Sequence, residues 1–542
     1  MTQAPVTDPT TSARKSLAQP PPGGGALAGR LWPRNAASAS LAVLVSAAVA
    51  TAMAVVTDPF GAVGVAGIVT GIAVLAVPAV AAVTSRAASR RLLRALPLLA
   101  AAAALALLAV GTFRAATWLY VLCVMTAAWL ISYTLAGGRR WPGVLFGGGA
   151  ALVGLLHGRL WLSDGVRTAV RSARTALHTA GEPRPGEAEP NSSPAGETTP
   201  DRAATSSRLG LPGVALLTAS VLVVFGSLLA SADDEFAEIL STLLSAPPPD
   251  LGGRLVGGIV VGAFALGTAY VALVPPRLDK MATSRPRPVR PFEWAIPAGA
   301  LVLLFAVFTV VQFTTLFGGE DHLNVTEGLT YATYARSGFG ELVAVTVLTL
   351  GVLAAVSRWA PRRTLSQRHL LRVIAGAICG FTLVIVASAL YRMDLYQEAY
   401  GLTRLRLVVT TFELCLGVVF VLLLIAGIRL RAAWLPRVVV GTAVAALLGL
   451  AALNPDAYIA ERNAERFEQT GRIDVHYLGG LSADAVPVLT RLPEPERSCA
   501  LRRLANDLPG DEPWAGFNVS RERARSILDD HPIDDDALCV EH

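Results

Sequence analysis

Long apolar runs recur along the whole of this 542-residue chain, and they constrain its fold more than any other feature. A helix needs roughly 20 such residues to cross the hydrocarbon layer of a bilayer. Of twelve hydrophobic segments, the weakest is 142–162, which three consecutive glycines interrupt. The pattern predicts an all-α fold, a polytopic transmembrane helical bundle of about eleven spans. The predicted spans are 39–56, 62–84, 95–112, 115–136, 211–231, 253–275, 294–317, 339–357, 371–391, 405–428 and 436–453.

The composition excludes a water-soluble globular protein. Apolar residues make up 53% of the chain and charged residues 16%, against about 25% charged residues in ordinary soluble proteins. A net charge of +6 would suggest nucleic acid as a partner of a soluble protein. Here the arginines lie in short runs between apolar segments, as membrane orientation requires. We therefore expect the lipid bilayer as the partner, and no nucleic acid.

Polar stretches divide the chain into five parts. Residues 1–35 and 163–209, rich in Pro, Ser, Thr and Gly or Glu, predict a disordered cytoplasmic tail and a disordered cytoplasmic linker. The N-terminal transmembrane helices occupy 36–162, and the C-terminal ones occupy 210–453. Residues 454–542 are too polar to span and predict a small, mostly helical extracytoplasmic domain.

Local signals predict the helices of this last part. Asn454 can cap a helix that Pro455 begins. A stretch around 473–481 could be extended, and short helices should begin near Ser482, Pro495 and Ser520.

The arginine clusters predict the orientation of the bundle. Cytoplasmic loops carry an excess of Lys and Arg. The segments assigned to the cytoplasm on this ground are 85–94, 275–290, 358–369 and 429–437. Acidic 232–240 and 318–328, with 454–542, then face outside. This alternation requires that 142–162 does not cross, so it should be re-entrant, surface-lying or only partly inserted. The alternative is that 39–84 is not a plain hairpin. The N-terminus would be cytoplasmic and the C-terminus extracytoplasmic, in a multi-pass protein of the plasma membrane.

Four local patterns carry a resemblance to a known family. They are VFGSLLASADDEFAEIL (224–240), YATYARSGFGELVAVTVLTL (331–350), SALYRMDLYQEAYGLTRLRL (388–407) and NPDAYIAERNAERF (454–467). In kind, spacing and order they resemble the bacterial membrane family of domain of unknown function 4173, which is related to the 4153 group. The resemblance covers roughly 210–470. It implies a multi-pass membrane protein and supplies no catalytic residues.

Candidate ligand-binding residues cluster on the outer loops. Tyr331 and Tyr334 are three residues apart and would share one face of a helix. A tyrosine belt at the lipid–water boundary explains this face without a ligand. The functional interpretation is a binding rim in which Arg336 contacts an anionic group such as a lipid phosphate. An Asp/His/Glu metal site nearby lacks any regular ligand spacing, and no metal is predicted.

A second set of polar residues lies between and within the following spans. The candidates in the outer connection are Arg392, Asp394, Arg404 and Arg406, and positive residues there run against the orientation rule. Either internal pairing or a ligand site would explain them.

Two carboxylates stand in or at the start of a span. Glu341 opens one, where the helix dipole favours an acid. Glu413 lies inside another, where an isolated charge costs about 2.5–3.5 kcal/mol or more. It should be protonated, paired or facing a polar cavity, and Arg406 two turns earlier could reach it. A functional acid and a structural interhelix bond both remain open.

Cys499 and Cys539 are the only cysteines in the polar tail, which the topology places in the oxidising exterior. They predict a disulfide, with two free thiols as the alternative.

Three hypotheses about function follow. The first is a non-catalytic envelope sensor or scaffold that meets anionic lipid or an envelope protein at the outer face. The others are a transporter or channel and a membrane-embedded enzyme acting on a lipid-linked substrate. In the transporter, the polar residues lining a path would be Arg336, Glu341, Arg392, Arg404 and Glu413. The chain has no Walker loop, HExxH, GxSxG or paired CxxC motif, so no catalytic residue or cofactor is predicted and an enzyme is disfavoured.

Overall fold

The computed structural model describes residues 32, 38–61, 63–179, 249–282, 289–317, 339–430, 432–510, 512–534 and 539. Throughout these ranges the regular structure is helical, without a strand. The prediction of an all-α fold is confirmed.

Fourteen α-helices of the described ranges precede the tail, together with a 3₁₀ helix at Leu278–Ala282. In chain order they are α1 (Leu41–Thr57), α2 (Ala66–Val83), α3 (Arg86–Leu92), α4 (Ala95–Phe113), α5 (Thr117–Ala136), α6 (Trp141–Gly147), α7 (Ala150–His157), α8 (Arg159–Thr179), α9 (Pro249–Leu273), α10 (Pro291–Phe317), α11 (Phe339–Trp359), α12 (Leu365–Tyr400), α13 (Arg404–Arg429) and α14 (Leu435–Leu453). Nine of those described are long and apolar enough to cross a membrane, and α1 is a shorter apolar helix. These ten coincide with predicted spans, whereas the eleventh, 211–231, lies outside the described residues.

Contacts between loops define the two ends of the bundle. At one end the turn before α2 packs against the tail, since Gly64 meets the backbone of Gly516. We call this end the tail side. At the opposite side, the carboxylate of Asp279 accepts hydrogen bonds from the backbone N–H groups of Arg139 and Arg140 (3.0–3.1 Å). We call this end the opposite side. The helix α5 runs from the tail side to the opposite side, because Trp118 in its first turn contacts Asp456 of the tail and Arg139 follows its last residue.

The glycine-interrupted segment 142–162 enters the bundle and returns to the side from which it came. Its deepest part lies beside α5, where Ser132 donates to the carbonyl of Gly147 (2.8 Å) and accepts from the N–H of Ala151 (2.9 Å). The carbonyl of Trp161 then accepts from the N–H of Ala39, at the opposite-side start of α1 (3.1 Å). At the break, a Cβ on Gly148 would overlap the Trp129 indole, so the close approach to α5 requires glycine there. The segment thus turns back within the bundle, as the re-entrant form of the prediction expects.

Two predictions of disorder are wrong in part. The predicted linker 163–209 begins inside α8, whose apolar residues recur at helical spacing among good helix formers. The rest of that linker lies outside the described residues.

In the predicted tail 1–35, Trp32 is buried and its ring stacks on His157, with centroids 5.0 Å apart. A tryptophan ring buries a large apolar surface, and this burial fixes Trp32 against the bundle although the neighbouring residues in the sequence are polar.

The tail folds into a small helical domain, here called the tail domain (455–534 with Cys539). Its helices are α15 (Pro455–Thr470), α16 (Val475–Gly479), α17 (Val486–Leu489), α18 (Glu496–Asn506) and α19 (Val519–Asp530). The helices expected near Ser482, Pro495 and Ser520 are confirmed. The extended alternative around 473–481 is wrong, because Asp474 caps α16 by accepting from the N–H of Tyr477 (2.8 Å).

The predicted cap of α15 also differs. Asn454 has a φ of 59° and makes no capping hydrogen bond to its own helix. In the amide orientation that its neighbours favour, it donates to Asp484 (3.2 Å) and accepts from Arg114 (3.3 Å). Its side chain thus serves a contact between the tail domain and the bundle.

Candidate functional site: a buried polar junction between bundle and tail domain

Asp456, in the first turn of α15, is fully buried and binds groups from three parts of the chain. Arg404, the first residue of α13, donates to it from Nε (3.0 Å) and Nη2 (2.6 Å). The Trp118 indole of α5 (3.2 Å) and the backbone N–H of Ser482 (2.8 Å) also donate to this carboxylate. A two-pronged guanidinium–carboxylate contact of this kind combines charge with a fixed geometry. Asp456 therefore ties α5 and α13 to the tail domain.

Asp484, also buried, lies at the N-terminus of α5. Its Oδ2 accepts from the backbone N–H groups of Ala115 (2.8 Å) and Ala116 (3.1 Å), just before the first residue of α5. Ser482 and Ser520 donate to the same carboxylate (2.9 and 2.5 Å). The first N–H groups of a helix have no partner within it, and the dipole there favours negative charge. The tail domain thus caps a membrane helix with its own carboxylate.

The two carboxylates have pKa values shifted in opposite directions. Burial by itself would raise the pKa of Asp456, but hydrogen bonds and the charge of Arg404 outweigh it, so the pKa lies below its usual range. Burial raises the pKa of Asp484, and its serine and backbone donors offset only part of this effect. The negative charge of Asp456 raises the pKa of Asp484 further. The junction therefore holds Asp456, which stays ionised to lower pH than usual, beside Asp484, which is protonated at higher pH than usual.

A third contact surrounds the turn between α12 and α13. Gly401 has a φ of +79°, and a Cβ there would overlap the side chain of Asn463. Asn463 donates to the carbonyl of Leu402 (2.8 Å). Arg466 donates to the last carbonyls of α12, at Glu398 (3.0 Å) and Ala399 (2.7 Å). Helix ends leave carbonyls unpaired, and cations there are stabilising. The tail domain closes the end of α12 in this way.

The last helix of the tail domain reaches the other side of the junction. Asn518 donates to the carbonyls of Gly111 (2.7 Å) and Arg114 (2.9 Å). Arg521, nearly buried, donates to the carbonyl of Val63 (2.7 Å) and pairs with Glu512 (2.8 Å). Three tail-side turns of the bundle, after α1, α4 and α12, are therefore joined through one small domain.

The described candidates from the outer connection have separate partners. Arg404 belongs to the junction. Arg406 donates to the carbonyls of Tyr400 (3.1 Å) and Gly401, and lies over the Tyr396 ring (4.3 Å). Arg392 donates to Gln312 of α10 (3.3 Å).

Two further candidate residues, Asp394 and Glu341, are exposed acids. Asp394 is exposed and acts electrostatically on Arg462 of the tail domain. Glu341 is exposed at the start of α11. Tyr331, Tyr334 and Arg336 lie outside the described residues.

Glu413 is fully buried between α13 and α11. Its Oε1 lies 3.5 Å from the hydroxyl of Thr346, and its Oε2 has no hydrogen-bond partner. Of the alternatives for Glu413, pairing with Arg406 does not form, because that guanidinium donates to the carbonyls of Tyr400 and Gly401. Thr346 was not a candidate, since a threonine inside an apolar span is common.

Cys499 and Cys539 are joined by a disulfide, with their Cα atoms 5.6 Å apart. The bridge attaches residue 539 to α18. It lies apart from the junction, within the tail domain.

Sequence reasoning missed the carboxylates that organise the junction. Asp456 had a ready explanation as an acid in a first helical turn, and Asp484 had no local signal beyond its position after Ser482. Their partners Trp118 and Ala115 lie 338 and 369 residues away. The one available signal was Arg404, because a positive residue on an outer loop calls for a partner.

The bundle and the docked tail domain define an integral membrane protein of the multi-pass, helical class. The chain belongs to the family described as "Domain of unknown function (DUF4153)", whose model matches residues 99–492. The resemblance to the 4173 family is not borne out, whereas the related 4153 group is. The matched region begins in α4 and ends after α17, so it contains Arg404, Asp456 and Asp484. No curated protein and no solved structure matches the chain.

Proposed function

We propose that the protein is a non-catalytic scaffold or sensor of the bacterial cell envelope, whose tail domain braces the membrane bundle. The observation that carries this proposal is the buried junction, in which Asp456 binds both α5 and α13. Separating a buried carboxylate from its cation is costly, so a displacement of the tail domain would move α5 and α13 with it. A change sensed by the tail domain would therefore reach both halves of the bundle.

The charge distribution supports an orientation with the tail domain outside the plasma membrane. The opposite side carries the arginine-rich turns around α3, before α6, before α12 and before α14. Cytoplasmic loops are enriched in such residues. The disulfide of the tail domain suits an oxidising exterior.

Lipid or an envelope protein is the proposed partner of the tail domain at the outer face. Trp514 and Phe517 are exposed next to the turn that holds Gly64, at the tail-side end of α2. Aromatic rings at this level favour the boundary between headgroups and hydrocarbon. They would anchor the tail domain to the outer leaflet.

A transporter, or an enzyme acting on a lipid-linked substrate, is the alternative. Glu413 supports it, because a buried carboxylate with an unpartnered oxygen inside a span is a functional candidate. In this alternative Glu413 and its surroundings would be indispensable, whereas the junction would matter only for stability.

The two proposals predict opposite results in a strain that lacks the gene. Each variant is expressed at an equal amount, verified by immunoblot of the membrane fraction, and survival on detergent and on cell-wall antibiotics is scored. For a scaffold, Asp456→Asn should fail to restore survival, and Glu413→Gln should restore it. The reverse pattern would contradict the scaffold and support transport or catalysis. Glu465→Gln, which removes an exposed acid of α15, is the matched control.

A further inference from the structure

A cavity of about 2390 Å³ lies inside the bundle, away from the junction. One wall is formed by α5 and the start of α6, and the other by α11, α12 and α13, with α14 running along it. Sites for compact small molecules occupy about 300–1,000 Å³. This cavity is larger, and it runs from Leu122 and Phe412 in the tail-side half of the bundle to Trp141 and Trp434 at the opposite side.

The lining divides into an apolar length and a cationic end. Leucine, valine and alanine side chains make up most of the wall along the spans. The charged residues of the described lining are all arginines, without an aspartate or a glutamate. Six of them, all at the opposite side, are Arg139, Arg140, Arg362, Arg363, Arg372 and Arg437. The nearby carboxylate of Asp279 accepts hydrogen bonds from the backbone N–H groups of Arg139 and Arg140.

Two details concern the partners of the arginines at this end. The Nε of Arg437 is buried without a hydrogen-bond partner. Arg362 donates to the backbone carbonyl of Ser357 (2.7 Å), an acceptor that carries no charge. Trp141, Trp359 and Trp434 line the same end, where indole rings mark the lipid–water boundary.

We propose that this cavity is a binding site for an anionic phospholipid. Its phosphate lies among the arginines and its acyl chains lie along the apolar wall. Guanidinium groups bind phosphate oxygens through paired N–H donors. Basic pockets between membrane helices on the cytoplasmic side bind anionic lipid headgroups by the same chemistry. An uncharged lipid would leave the arginines without a counterion.

The chain's own apolar segment 211–231 is a less suitable occupant. Residues 201–210, which precede this segment in the sequence, include Arg202 and Arg208 but a single acid, Asp201. Placed at the cationic end of the cavity, residues 201–210 would add positive charge to that of the arginines. A phosphate would neutralise the arginines instead.

The site is tested with the purified full-length chain in detergent, titrated with phosphatidylglycerol and with phosphatidylcholine of the same acyl chains. Native mass spectrometry measures the bound lipid. We expect phosphatidylglycerol to bind at least about tenfold more tightly. Equal affinity of the two lipids would overturn the proposal, and this comparison requires no variant.

A charge-matched pair of triple variants locates the site. Arg363→Gln, Arg372→Gln and Arg437→Gln together should weaken phosphatidylglycerol binding about tenfold or more, with phosphatidylcholine binding unchanged. The control removes the same charge from the same side with Arg86→Gln, Arg90→Gln and Arg94→Gln, which do not line the cavity. An equal loss in both variants would show attraction to the whole surface and would contradict a site in the cavity.

Whether segment 211–231 fills the cavity instead of lipid is tested by disulfide crosslinking in native membranes. Single cysteines placed across 216–222 are combined with Phe412→Cys, which lies in the cavity wall. Absence of disulfide crosslinks is expected if lipid fills the cavity. Efficient crosslinking would show that the chain itself fills it and would overturn the proposal.

Discussion

Arg404 and Asp456 join the first turn of a membrane helix to the first turn of the tail domain through two hydrogen bonds of 3.0 and 2.6 Å. The Asp456 side chain is fully buried, whereas the Arg404 side chain is 35% exposed. Each belongs to a different one of the motifs that carry the family resemblance. Gly401 and Asn463 of the same two motifs also meet. The motifs are therefore two halves of one interface.

Removing the charge of Asp456 should loosen the tail domain. Asp456→Asn leaves Arg404 without a counterion in a partly buried place, and truncating one member of such a pair costs about 2–5 kcal/mol. Because Arg404 is partly solvated, we expect about 2–3 kcal/mol. A lower melting temperature of the purified protein and faster proteolytic release of the tail domain would report this loss.

The matched control is Glu465→Gln on the same helix. Glu465 pairs with Arg462, but both side chains are about half exposed (50% and 53%). Exposed pairs of this spacing contribute about 0.3–0.5 kcal/mol. If both variants shifted the melting temperature equally, the junction would have no special role in holding the tail domain.

Asp484 should make the stability of the junction depend on pH. Its pKa is raised in the folded protein, so its contribution is fully present below the unfolded value near 3.9 and is lost as pH rises through the folded value. Asp456, with a lowered pKa, behaves in the opposite way: its contribution is lost as pH falls through the folded value.

Asp484→Asn separates the two effects. The variant cannot titrate at this position, so the excess stability of the wild type over the variant should decrease as pH rises from about 4. Denaturant unfolding at several pH values between 4 and 7.5 measures this difference. Parallel stability profiles would contradict a raised pKa for Asp484.

The bundle could be predicted from the sequence because membrane insertion is a local property. Each span carries its own apolar length, and the glycine break in 142–162 marked a segment that turns back. The loops then had to alternate, which left few topologies. Arginine clusters are likewise local, so they were found without any contact information.

The junction could not be predicted because its contacts with α4 and α5 join residues that are more than 300 positions apart. Asp484 caps a helix that begins at Thr117, and no local pattern links those positions. Arg406 and Glu413 illustrate the converse error. They share a helix face by spacing, yet Arg406 finds carbonyl acceptors at the neighbouring helix end. Spacing along one helix does not determine which of several acceptors a long side chain reaches.

The disulfide should stabilise the tail domain without affecting the junction. Closing the 40-residue separation between Cys499 and Cys539 restricts the unfolded chain by about 3–4 kcal/mol. Thiol blocking followed by intact-mass analysis with and without reductant detects the bond. Cys499→Ser with Cys539→Ser should lower the melting temperature yet leave lipid binding in the cavity unchanged. Two free thiols in protein from oxidising conditions would rule out the bond.

The proposed orientation predicts which positions are accessible from outside the cell. A single cysteine at Gly480 in the tail domain should react with an impermeant maleimide on intact cells. One at Arg363, in the turn before α12, should react only after the membrane is permeabilised. The native thiols Cys123, Cys379 and Cys415 are first replaced by alanine or serine. Labelling in the reverse order would place the tail domain in the cytoplasm.

Glu413 should tolerate loss of its charge but not reversal of it. Gln has the same shape as Glu and can still accept from Thr346, whereas it carries no charge to desolvate inside the span. We therefore expect Glu413→Gln to insert and accumulate like the wild type.

Glu413→Lys would bury a cation beside apolar residues with no acid among the partners that Glu413 contacts. A buried, unpaired charge within a span costs several kcal/mol. The amount of protein in the membrane fraction and its melting temperature compare the two variants, with Thr346→Val as the control that removes only the donor. If both Glu413 variants accumulated and melted like the wild type, the carboxylate would reach water or headgroups in the membrane. That result would remove the basis for assigning it a role inside the bundle.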